Sequence, residues 1–261
     1  MSSQSTPEND TLWNGLYRLG GAAALTAVLI TLADMIISFA GGDNAAGVPA
    51  ADWFALFAQS PLLGLRNLGL FNILTNALAL PLFLALFAAH RRTQPAAAAL
   101  AGIVLLFGAA VYTANNQALP MLALSGQYAA AGEAGRELLT GAGAALLAQG
   151  EDFTPGSFPG FFFCLLANGL MAAALLRGRI FRPWIAVTGL AAAAIMLVFT
   201  TAATFQLATV EALMPLALVG GLYSWAWNIA LALRLFRLAR PARETGRPAA
   251  RPLDAAAEGA R

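Results

Sequence analysis

Six stretches of this chain are each long and apolar enough to cross a lipid bilayer, and no other feature restricts its fold as much. They run over residues 19–40, 68–89, 96–114, 158–176, 183–205 and 212–235. A helix needs about 20 mainly apolar residues to traverse a hydrocarbon core about 30 Å thick. Helix is favoured over strand because it bonds every backbone N–H and C=O within its own segment, as lipid requires. With 59% hydrophobic and 11% charged residues, the chain would expose too much apolar surface for a soluble globule, and it is too apolar for disorder. The expected fold class is all-α: a polytopic membrane protein built as a six-helix transmembrane bundle.

The first stretch could be mistaken for a cleaved leader, because Ser38-Phe39-Ala40 has the small-x-small form of a cleavage site. Its apolar run is longer than a leader's, however. The segment before it carries Glu8 and Asp10 against Arg18 alone, so a retained helix is expected.

Sidedness follows from arginine, the chain's sole basic residue type apart from His90. Arg91 and Arg92 join spans two and three, and Arg177, Arg179 and Arg182 join spans four and five. Seven more, from Arg234 to Arg261, end or follow span six, and Arg18 opens span one. If six helices alternate, thirteen of the 15 arginines share one face, with Arg66 and Arg136 on the other. Arginine-rich short loops stay cytoplasmic, so both termini are expected in the cytosol. Alanine and arginine usage without lysine points to a GC-rich bacterial genome, hence to a bacterial inner membrane.

Residues 1–16 are expected to be a disordered cytoplasmic N-terminus, 17–240 the transmembrane domain, and 241–261 a disordered cytoplasmic tail. Two outer connections are long. Residues 52–59 suit a short surface helix with Asp52 as N-cap, Pro61 as stop and Trp53 at headgroup level. Residues 127–148 read as a second amphipathic surface helix, with Glu133, Arg136 and Glu137 on one side and Leu138, Leu139, Leu146 and Leu147 on another. A Gly- and Pro-rich connector follows, over 150–160.

Three stretches carry a resemblance. They are Trp53-Phe-Ala-Leu-Phe-Ala-Gln-Ser-Pro-Leu-Leu-Gly-Leu65, Asn116-Gln-Ala-Leu-Pro-Met-Leu-Ala-Leu-Ser-Gly-Gln-Tyr128 and Glu133-Ala-Gly-Arg-Glu-Leu-Leu139. Together they resemble a family of bacterial multipass membrane proteins catalogued as domain of unknown function 4386. The likeness would cover residues 15–235. It implies an all-helical membrane fold and brings no activity, cofactor or catalytic residue with it.

Polar residues inside a bilayer are costly and point to function by default. At about 1.5 Å of rise per residue, Asp34 falls in the outer third of span one. Asn72 and Asn76, one turn apart, fall just below the outer edge of span two. Arg66, Asn116 and Thr201 belong to the same level. These six residues are expected to form a polar pocket opening outward, with Asp34 as anchor and Arg66 as the one arginine within reach. The pocket would take a small polar or cationic solute, or protons. Ranked ahead of that is a structural reading, in which an Asp34–Arg66 or Asp34–Asn link simply holds spans one and two together.

Asn76, Asn168 and Asn228 each sit in an outside-to-inside helix ending in arginines, at unequal distances of 15, 9 and 6 residues, so the spacing marks no repeat. Asn168 and Asn228 read as hydrogen-bonding partners across helix interfaces. Trp225 and Trp227 read as packing residues, and Cys164 as a small core- or lipid-facing residue.

Enzyme signatures are mostly missing. His90 and Cys164 cannot supply the three protein ligands of a catalytic zinc. No G-x-S-x-G, Walker or dinucleotide glycine pattern occurs, and no cofactor is expected. The implied partners are the lipid bilayer, a small polar solute, and another membrane protein or a second copy of the chain, but not nucleic acid. An accessory or structural membrane protein ranks first, a solute- or proton-linked binder, sensor or transporter second, and an intramembrane enzyme third.

Overall fold

The computed structural model describes residues 7–40 and 47–239. Among them the chain forms helices and no strands. The helices are α1 (Pro7–Phe39), α2 (Ala50–Gln59), α3 (Pro61–Leu65), α4 (Phe71–His90), α5 (Pro95–Asn115), α6 (Ala118–Ala130), α7 (Glu133–Gly150), α8 (Phe158–Gly178), α9 (Pro183–Thr204) and α10 (Val210–Leu238), with a π turn over Arg66–Leu70 between α3 and α4. Six spans are long and apolar enough to cross a membrane, giving an all-α membrane bundle. The six long helices α1, α4, α5, α8, α9 and α10 pack as a ring in chain order, and α10 returns against α1. Lipid and Leu are equally apolar, so close packing rather than the hydrophobic effect holds this ring. Gly20 against Ala85, Gly108 against Cys164 and Gly189 against Trp227 are the close approaches that packing uses.

Local chemistry sets the helix ends. Proline stands in the first turn of α3, α5, α8 and α9, where its missing N–H is no loss. Thr209 caps α10 by accepting from the Ala212 N–H at 3.3 Å. The arginine-bearing turns converge at one end of the bundle. There Arg91 lies 4.3 Å over the Trp13 ring, His90 stacks on Phe181, and Arg234 donates to the Ile180 carbonyl at 3.0 Å.

Both ends of the bundle differ from the sequence reading. At the arginine end helix α1 begins at Pro7, so residues 7–16 are helical rather than part of a disordered terminus, the apolar span itself starting at Trp13; residues 1–6 and the tail over 241–261 lie outside the described residues. At the other end the two expected surface helices become four that pack on one another: α2, α3, α6 and α7. Residues 127–148 do not form one helix, because the chain turns extended at Ala131 and Gly132. Pro49 rather than Asp52 precedes the first turn of α2. Trp53 is not an exposed interfacial side chain: it is fully buried with Phe54, Phe57, Met121 and Leu147 in a second core. Ser125 Oγ ties α6 to α2 by donating to the Phe54 carbonyl at 3.1 Å. Burying each large side chain of that core contributes about 1.5–3 kcal/mol, so these four helices form a folded unit with its own core.

Candidate functional site

Span two is broken where it leaves the α2–α3–α6–α7 layer. Leu68 and Gly69 depart from helical geometry, Gly69 at φ +85°, a left-handed value that glycine adopts without strain. A Cβ at Gly69 would collide with the Tyr112 hydroxyl. The break frees the Leu68 carbonyl, and Asn116 Nδ2 donates to it at 2.6 Å while Asn116 Oδ1 accepts from the Ala118 N–H at 3.0 Å. Irregular backbone at this level is tolerated because side chains answer its polar groups.

Around the break stands a cluster of charged and polar groups. Arg66, 7% exposed, donates from Nε to Asp34 Oδ1 at 2.6 Å. Its Nη2 donates to the Asp34 carbonyl at 2.6 Å and to Ser38 Oγ, and its Nη1 to Asn67 Oδ1 at 2.7 Å. Beside it Asp152 accepts from Asn72 Nδ2 and from the Tyr112 hydroxyl, both at 2.8 Å. Burial pushes the Asp152 carboxyl up to about 6, and Glu151 and Asp34 nearby push the same way. The Tyr112 and Asn72 hydrogen bonds partly oppose the rise. Glu151 is also raised by burial, against the hydrogen bond it accepts from the Gly47 N–H at 2.9 Å. The void shared by Arg66, Asn67, Asn72 and the two aspartates measures about 40 Å³. That is room for about one water molecule.

Four of the six residues expected to share one outer pocket, Asp34, Arg66, Asn72 and Asn116, do meet here. Thr201 does not join them: no side-chain hydrogen bond holds it, and its carbonyl caps α9 by accepting from Phe205. Asn76 points to a different space. Asp152, Tyr112 and Gly69 escaped the sequence reading. Asp152 stands in the Gly- and Pro-rich connector, although an Asp beside Glu151 in so sparsely charged a chain was a usable signal.

Asn76 belongs to a cavity of about 350 Å³ at the centre of the ring, to which all six spans contribute wall. Asn76 lies about 8 Å into α4 from its Phe71 end and Asn168 about 15 Å into α8 from its Phe158 end, by helical rise, so the cavity reaches the middle of the spans. Thr31, Thr75, Ser224 and Asn228 add polar groups to walls otherwise made of Ala, Gly, Val, Leu, Phe, Met, Trp and Cys. Most of these additions are already engaged. Trp225 Nε1 donates to Thr31 Oγ1 at 2.8 Å, Ser224 Oγ donates to the Gly220 carbonyl at 2.9 Å, and Asn228 Nδ2 donates to the Ser224 carbonyl at 2.9 Å.

Asn76 and Asn168 make no side-chain hydrogen bond, and the Trp227 indole N–H, on the same wall, is buried with no acceptor. The asparagines therefore do not bond across helix interfaces as the sequence suggested: Asn228 bonds within its own helix and Asn168 not at all. Trp225, Trp227 and Cys164 are cavity wall. Among the described residues, no group of three or more His, Cys, Asp or Glu side chains could hold a metal ion.

No family model matches the chain, and neither a curated protein nor a solved structure matches it.

Proposed function

We propose that this chain is a non-catalytic, solute-binding protein of a bacterial inner membrane, with both termini in the cytoplasm and the α2–α3–α6–α7 layer on the outer face. The orientation is supported by the described arginines. Arg18, Arg91, Arg92, Arg177, Arg179, Arg182, Arg234 and Arg237 lie toward one end, and Arg66 and Arg136 toward the other, as the positive-inside rule demands. One observation carries the solute-binding reading: a mid-membrane cavity of about 350 Å³ with the Asn76 and Asn168 amides unbonded. Polar groups left unbonded in a bilayer are costly, and a ligand removes that cost. The cavity walls carry amides, hydroxyls, indoles and one thiol, but no carboxylate or imidazole to act as acid or base.

The site thus moves inward from the Asp34 level, where the void is too small for a solute. That saturated outer cluster favours a second reading, an accessory protein without ligand that engages a membrane partner through its outer layer, where Leu119 and Leu138 are exposed. The three stretches that resemble domain of unknown function 4386 fall on α2–α3, on Asn116 to Tyr128 around α6, and at the start of α7, so we read that outer layer as the family's mark.

Mass spectrometry of denatured protein purified from its native membrane separates the two readings. Solute binding predicts a small molecule that co-purifies with wild type and is lost from Asn76→Leu/Asn168→Leu. A clean wild type, with no stabilisation by any member of a metabolite library, refutes it in favour of the accessory role.

A further inference from the structure

We propose that the central cavity selects a small neutral molecule pairing an apolar or aromatic body with one group that both donates and accepts hydrogen bonds, such as a carboxamide, urea or lactam. The inference rests on the solute-binding reading and names the chemistry of its ligand. Neutrality follows from the walls. No Asp, Glu, Arg or His lines the cavity, and an ion brought to mid-membrane without a counter-charge is strongly disfavoured.

The hydrogen-bonding group follows from the valences left open. Asn76 and Asn168 each present an amide carbonyl and two N–H groups, none engaged by the protein. Asn228 uses one N–H on Ser224 and keeps its carbonyl. Donors and acceptors are thus both unanswered, which a hydrocarbon leaves desolvated and a pure acceptor half satisfies. The apolar body follows from Phe83, Leu82, Met196 and the Trp225 and Trp227 rings on the remaining wall. The cavity volume sits at the lower end of the range for ligand pockets, which sets the size.

Benzamide is the test probe, with benzoate and benzylammonium as charged counterparts of matching shape. Each is titrated against the full chain in nanodiscs, with ligand-observed NMR reporting occupancy and a thermal scan reporting stability. The expected result is saturable benzamide binding, at least tenfold weaker binding of both charged probes, and at least a tenfold loss in Asn168→Leu and in Asn76→Leu. Both variants should keep or raise the thermal midpoint, because each replaces an unbonded amide by a side chain of similar size; that separates lost binding from lost folding.

A charged probe that binds as tightly as benzamide, and is lost in Asn168→Leu, overturns neutrality while leaving the solute site standing. Benzamide binding that ignores both substitutions, or no saturable binding of any probe, overturns the assignment of this chemistry to the cavity. The co-purification experiment then decides the broader reading on its own.

Discussion

Removing the Arg66 guanidinium tests whether the outer cluster holds the bundle together. In Arg66→Met the carboxylate of Asp34, the Asp34 carbonyl, Ser38 Oγ and Asn67 Oδ1 each lose a donor. Breaking a buried pair by deleting one partner costs about 3–5 kcal/mol. The Asp34 side chain is 43% exposed, so its charge rehydrates, and the Asp34 carbonyl keeps the Ser38 hydroxyl as donor. Both effects bring the expected loss down to about 2–3 kcal/mol, or about 30- to 150-fold in the folded-to-unfolded ratio. Arg66→Lys should recover part of it, since an ammonium restores the charge beside Asp34 but lacks the planar fork that reaches several acceptors at once. In an Asp34→Leu background the cost of Arg66→Met should shrink by about 1–2 kcal/mol, the coupling expected of direct partners. Reversible unfolding in mixed micelles of SDS and a mild detergent measures all four variants. An Arg66→Met loss under about 0.5 kcal/mol, or zero coupling to Asp34, would show that the clasp contributes nothing and refute the reasoning.

Three further outcomes are expected. Because burial raises the Asp152 carboxyl from 3.8 to about 6, the folded state binds its proton more tightly than the unfolded chain; stability is fullest below about pH 4 and declines by up to about 3 kcal/mol as pH rises through 6. Asp152→Asn should flatten that dependence in the same unfolding assay, and a stability that rises between pH 4 and 6 in wild type would contradict the assignment. Trp53→Ala removes a fully buried side chain from the second core and should cost about 3–5 kcal/mol there, read as early proteolysis of α2 and α3 while the spans stay protected. Gly69→Ala should lower stability by more than the roughly 1–2 kcal/mol of left-handed strain, because the added Cβ also displaces Tyr112 from Asp152; loss of the Asp152 pH dependence in this variant checks the coupling.

The spans were legible because lipid imposes a length and a composition on any helix that crosses it, and the arginines were legible because they stop at the bilayer edge. What the sequence hid depends on rotation about helix axes. Asn76, Asn168 and Asn228 stand on helices apolar on every side, so no stripe announces which face turns inward. Their convergence on one cavity is a fact of packing. The same gap hid the second core: Trp53, Phe57, Met121 and Leu147 come from three separate helices, and their apolar faces look alike whether they meet lipid or each other. The Asp34–Arg66 link was legible in outline because so few charges exist to pair. Asp152 was not, since it reaches the cluster only through the fold of the loop after α7 and the break at Gly69.

The two polar regions divide by how far the chain satisfies them. Around Arg66 and Asp152 donors and acceptors find one another, and the void left over is about 40 Å³; such a cluster fixes geometry and has little left to offer a solute. Around Asn76 and Asn168 the chain surrounds about 350 Å³ with amides it does not itself bond. In water such groups cost nothing, because solvent answers them. At mid-membrane they are answered only by what enters the cavity. A fold that pairs Arg66 so completely at the edge and leaves two amides open at its centre has placed stability in the first region and capacity for a ligand in the second.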